Sequence, residues 1–140
     1  MKHFLYLICI TICLCSCEKT DDSSDTTSGN SDIHIYNFAI TYGSVTKQAV
    51  YEGTHSVGDL LIFDYTATDD DSKLSGGKMY ETVDGGSKIE LQDFSISGRS
   101  TTVHNEYTIS DSSASSIILE FTVSSSSNGS TSKTYTVSVK

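Results

Sequence analysis

The sequence predicts an all-β domain, an antiparallel sandwich of seven to eight strands over residues 33–140. Three observations carry this. Apolar residues recur at every second position in short runs, the period of a strand with one buried face. Turn-rich clusters of Gly, Ser, Asn and Asp separate the runs, and no window holds a helical stripe. Past residue 17 the chain has no cysteine, so no disulfide can replace apolar burial and sheet hydrogen bonding as the source of stability.

The strands follow in order. Residues 33–41 alternate as Ile33, Ile35, then Tyr36, Phe38 and Ile40, and the phase slip near Asn37 marks a bulge. Residues 45–51 form a weaker strand after Gly43. In 59–68, Leu61, Phe63, Tyr65 and Ala67 share one face against Asp64, Thr66 and Thr68. Residues 78–83 make a short strand between the turn pairs Gly76-Gly77 and Gly85-Gly86. Residues 88–96 bring Ile89, Leu91, Phe94 and Ile96 toward the core, and 101–110 bring Val103, Tyr107 and Ile109. The clearest alternation is 117–124, with Ile117, Leu119, Phe121 and Val123 inward. The last strand, 134–139, turns Tyr135, Val137 and Val139 inward, and the hydroxyls of Tyr65, Tyr107 and Tyr135 are expected at the rim. Seven or eight such strands in about 108 residues is the size and rhythm of an immunoglobulin-like (Ig-like) β-sandwich. A jelly roll or small barrel is the runner-up, since alternation does not set strand order.

The run Val57-Gly58-Asp59-Leu60-Leu61-Ile62-Phe63-Asp64-Tyr65-Thr66-Ala67-Thr68-Asp69-Asp70 resembles the second strand of bacterial Ig-like modules. So does the ending, Phe121-Thr122-Val123, a Ser/Asn/Gly hairpin, and Thr134-Tyr135-Thr136-Val137-Ser138-Val139. The likeness implies a single Ig-like domain over 33–140 and carries over no catalytic residue. The chain departs from antibody-type domains in lacking their core tryptophan and paired cysteines.

Residues 1–16 read as a secretory leader. Lys2 gives a positive start, 4–14 an apolar run, and Cys15 and Ser16 a small-residue cleavage site. The apolar run falls short of the ~20 residues that span a bilayer. Leu14-Cys15-Ser16-Cys17 resembles the lipobox of bacterial lipoproteins, which implies lipidation of Cys17 and attachment to the membrane through acyl chains. Cys9, Cys13, Cys15 and Cys17 do not read as a metal cluster, because they lie along an apolar segment rather than on a converging turn. Residues 17–32 form an acidic Ser/Thr/Asp-rich tether too polar to fold, with a typical end-to-end reach of ~20 Å. Glu18-Lys19-Thr20-Asp21-Asp22 is similar to the export signal of Bacteroidetes-type surface lipoproteins, which implies the outer face of the outer membrane. Asp25-Thr26-Thr27 resembles that group's O-glycosylation acceptor, with Thr26 modified.

Formal charge is −9, and losing Lys2 with the leader takes it to −10. That balance disfavours nucleic acid as a partner. Asp69-Asp70-Asp71 is the densest carboxylate group and the one candidate for a cofactor, a calcium ion, with Asp111 from another loop as a possible fourth ligand. No other cofactor is expected. His34, His55 and His104 fall in unrelated segments and read as surface residues. There is no Gly-x-Ser-x-Gly elbow, and Ser124 to Ser127 is a hairpin tract, so the expectation is no enzyme. Tyr42, Tyr51 and Tyr80 are the rings expected to face water and are the candidate glycan contacts. The sequence thus points to a non-enzymatic accessory, adhesive or protein-binding lipoprotein. A glycan-binding lipoprotein of a polysaccharide-uptake system is the alternative.

Overall fold

The computed structural model describes residues 32–127 and 129–140. The leader, Cys17, Thr26 and the tether up to residue 31 lie outside the described residues. The described chain is all-β. In order its strands are β1 (Ile33–Tyr42), β2 (Val45–Gln48), β3 (Glu52–His55), β4 (Leu60–Asp69), β5 (Leu74–Val83), β6 (Ile89–Phe94), β7 (Ser100–Thr108), β8 (Ser116–Ser125) and β9 (Ser130–Val139). They build two sheets, β2-β1-β4-β7 and β3-β9-β8-β5-β6.

The core lies between the sheets and follows from alternation. Leu61, Phe63, Tyr65 and Ala67 of β4 meet Ile117, Leu119, Phe121 and Val123 of β8, all buried. At its centre the Phe121 ring lies 4.7 Å from Phe63, 5.4 Å from Phe38 and 5.9 Å from Tyr65, centroid to centroid. These are the tilted and edge-on separations that aromatic rings prefer. Phe38 reaches this cluster because β1 carries the expected bulge. The pairing slips between Tyr36 and Ala39, with Asn37 at φ 52°. One extra residue reverses the alternation, so Ile33 and Ile35 before it and Phe38 and Ile40 after it all face inward.

Several expectations change. Among the described residues nine strands replace seven to eight, because the run expected over 45–51 ends at Gln48 as β2 and a further strand, β3, follows it in the other sheet. Ala49, at φ 52°, breaks the run, and β3 pairs with β9 in parallel, so the strands are not all antiparallel. Gly76 and Gly77 lie inside β5 rather than in a turn, and the Phe94 ring fills the space a β-carbon would need at Gly77. Ile89 and Leu91 are exposed on β6, the edge strand of the five-stranded sheet. The Tyr65 hydroxyl is buried without a hydrogen-bond partner among the described residues, not at the rim, and burial raises its pKa.

Register sets the two ends of the sandwich. Ile33 pairs with Asp69, and Thr68 with Ser100, at the end where the chain enters. Tyr42 pairs with Leu61, Leu60 with Thr108 and His55 with Val139 at the other.

Phe121→Ala should cost about 3–5 kcal/mol, a large share of the ~5–15 kcal/mol typical of a domain. Urea unfolding followed by circular dichroism would read it. A loss below about 1 kcal/mol would contradict the ring cluster as the centre of the core.

Candidate functional site

Because β2 stays with one sheet and β3 joins the other, the sandwich edge between them is parted. The gap is a cleft of about 220 Å³. Ile40 and Tyr42 of β1, and Val45 and Lys47 of β2, form one wall; Glu52 to His55 and Tyr135 form the other.

His55 is the surprise of this site. It is 7% exposed, not the surface residue the sequence suggested. Its Nε2 shares a 3.0 Å hydrogen bond with the Tyr135 hydroxyl, and its Nδ1 is buried with no partner among the described residues. The Tyr42 ring meets the imidazole edge-on, 5.1 Å between centroids at 75°. Gly53 makes this contact possible, since a β-carbon there would lie 2.6 Å from His55 Nε2 and run into the Tyr135 hydroxyl. Nothing in the local sequence signals the pair, whose members stand 80 residues apart.

Charge in the cleft is muted. Burial holds the His55 pKa below its ordinary value, with Lys140 and Lys47 adding to the effect and Asp59 opposing it. Burial, and then Glu52, raises that of Tyr135. A hydrogen bond to the Asp59 carboxylate raises that of Tyr42. Asp59 Oδ2 also accepts from the Ser56 amide at 2.7 Å, which fixes the β3–β4 turn. At neutral pH the cleft therefore offers an uncharged imidazole and two phenol hydroxyls, groups suited to hydrogen bonding.

The three candidate tyrosines separate. Tyr42 lines the cleft. Tyr51 borders a shallower depression beside it with Glu52, Thr134 and Thr136. Its ring is stacked on Phe38 at 5.9 Å, and Lys133 Nζ lies 5.6 Å from its centroid. Tyr80 lies on β5, beyond the cleft, with Lys88 Nζ 4.4 Å over its ring.

The aspartates do not converge either. Asp69 is buried, and its Oδ1 accepts from the amides of Asp71 at 3.0 Å and Ser72 at 2.7 Å, capping its own turn. Asp70 faces His34 Nε2 at 3.9 Å, and its carbonyl accepts from Arg99 at 3.1 Å. Asp111 belongs to the β7–β8 loop at the opposite end, where Ser113 binds its Oδ1 and lowers its pKa. Among the described residues no group of three or more His, Cys, Asp or Glu side chains is arranged to hold a metal ion.

No protein-family model and no curated protein matches this chain. Among solved structures it is similar to a Niemann-Pick type C2 protein from the Japanese carpenter ant, at 9% identity over 86% of this chain and 98% of that one, with a TM-score of 0.46. At that level no property of that protein transfers to this one.

Two histidines make stability depend on pH with opposite signs. His104, exposed on β7, sits 2.7 Å from Asp64 and 3.4 Å from Glu106, and these carboxylates raise its pKa. Its contribution is full below about pH 6.5 and fades as pH rises through the folded-state value. His55, with its pKa lowered, costs stability as pH falls below about 6.5. His104→Ala leaves that loss unopposed, so its melting midpoint should drop more than the wild type's between about pH 7.5 and 5.5. Parallel midpoint curves for the two proteins would refute this.

Proposed function

We propose that this chain is a bacterial surface lipoprotein whose folded part is an Ig-like, non-enzymatic module for binding a partner protein. The Ig-like reading is supported by the order of the sheets, in which β1, β4 and β7 oppose β9, β8, β5 and β6 with crossing connections between layers. The lipobox at Leu14-Cys15-Ser16-Cys17 supports attachment through Cys17, and the acidic run after it supports export to the outer face of the outer membrane. The observation that carries the binding role is positional. Tyr42, Val45, Val57 and Leu60, all exposed, lie toward the end of the sandwich opposite Ile33, where the tether joins. Grouped exposed apolar side chains mark interaction surfaces, and a tether entering at one end presents the other to partners.

A protein partner is favoured over a glycan because the Tyr51 ring is engaged by Phe38 and the Tyr80 ring by Lys88. Sugar stacking needs a free ring face. Full-length protein in cells, carrying a photo-crosslinking residue at Val57 or at Ser97, tests the reading. Crosslinks to one protein from Val57 and none from Ser97 are expected. Equal crosslinking from both, or binding on a glycan array with none to protein, would overturn it. Cys17→Ala should move the protein from the membrane to the soluble fraction, and retention in the membrane would refute the anchor.

A further inference from the structure

We infer that the free edge of β2 binds an extended polypeptide segment, which adds to the sheet as an antiparallel strand and turns an apolar side chain toward the cleft. The inference rests on the protein-binding reading for the source of that segment.

The edge comes first. β2 ends the four-stranded sheet, with β1 on one side and no strand on the other. Tyr42 pairs with Val45 across the two-residue turn Gly43-Ser44, so that pair exchanges backbone hydrogen bonds and the next, Thr41–Thr46, does not. The N–H and C=O groups of Thr46, and by the same alternation of Gln48, therefore point away from β1. All four residues of β2 are exposed, and the strand has neither a bulge nor a proline to block pairing. Strand addition at such an edge draws affinity from main-chain bonds and specificity from pockets for alternate side chains.

The cleft supplies the pocket. Val45 and Lys47 line it from β2, and Val45 is 53% exposed. Directly opposed residues of an antiparallel pair share a face, so an added strand turns the residues opposite Val45 and Lys47 to the cleft side. Ile40, Val45 and Val50 on the cleft wall favour an apolar residue opposite Val45, and Lys47 favours an acid opposite itself. Read along its own chain, the segment is acid-x-apolar. At the other lateral edge, the bonds from Asn105 to Gln92 and from Tyr107 to Glu81 already join the layers, so a strand added there meets closed packing.

Two nearer occupants fail. Residues 18–31 hold no apolar side chain, and the tether joins at the opposite end. A second copy fails because none of its edge strands, β2, β3, β6 or β7, reads acid-x-apolar. The occupant is a segment of another protein.

Titration of the purified full chain with the capped peptide Thr-Glu-Thr-Leu-Thr, followed by amide chemical shifts, tests this. Shifts are expected at Thr46 and Gln48, with Leu119 and Phe121 of β8 unmoved. Methylating the nitrogen of the peptide's central threonine removes its bond to the Thr46 carbonyl and should weaken binding at least about tenfold. Thr46→Pro removes the outward N–H at an edge position that tolerates proline, and should weaken the peptide at least about tenfold with the melting midpoint unchanged. The methylated peptide reads the same contact on the unaltered fold. In cells, Thr46→Pro should also remove the crosslinks formed from Val57. Crosslinks that persist there overturn the edge and leave the protein-binding reading standing, whereas none from Val57 in the unaltered protein overturns that reading. The inference is overturned if the peptide shifts neither Thr46 nor Gln48, shifts β3 instead, or binds equally well when methylated or to Thr46→Pro.

Discussion

One chain crossing shapes this molecule. Between Gln48 and Glu52 the backbone leaves the sheet of β1 and joins the sheet of β9. Two backbone hydrogen bonds hold the crossing to both layers: the Ala49 amide to the Phe38 carbonyl at 2.9 Å, and the Thr136 amide to the Tyr51 carbonyl at 2.8 Å. Ala49 takes a left-handed conformation there, which a non-glycine residue adopts at some cost. The crossing is fixed at its far end by the buried bond between His55 and Tyr135. A crossing strand so short has few ladder bonds of its own, so that side-chain contact matters more than it would in a long strand.

The two lateral edges of the sandwich differ as a result. Where β7 faces β6 and β5, side chains close the gap: Asn105 donates to Gln92 of β6 at 3.0 Å, and the Tyr107 hydroxyl donates to Glu81 of β5. Where β2 and β3 face each other, the layers part, and their inner faces line the cleft. The same division concentrates polar chemistry on the parted side. Burial holds His55 and Tyr135 there as neutral groups, and the Asp59 carboxylate does the same for Tyr42.

Legibility in the sequence tracked the length and burial of each element. The ten-residue strands β4 and β8 alternate without interruption because one face is wholly buried, and their inward residues could be read directly. The β1 bulge was readable because it shifts the phase of large apolar residues on both sides of Asn37. The end of β2 at Gln48 and the separate strand β3 after it were not readable. All four residues of β2 are exposed, and a strand without a buried face leaves no period to detect. The glycines of β5 misled for a related reason: Gly77 is required by the Phe94 ring packed over it, a tertiary contact that looks locally like a turn. Of the candidate site, Tyr42 was named only as one of the rings expected to face water, and it is exposed where it lines the cleft. His55 was missed because its burial depends on Tyr135, a partner from the far end of the chain.

The central claim is that the His55–Tyr135 bond holds the crossing strand in place and so sets the cleft. Amide hydrogen exchange on Tyr135→Phe tests it most directly. Exchange at Gly53, Thr54 and His55 should accelerate roughly tenfold or more, as expected for loss of a buried hydrogen bond, with Leu119 and Phe121 in β8 unchanged. Equal protection of β3 in both proteins, or a uniform loss across the whole sheet, would contradict the account.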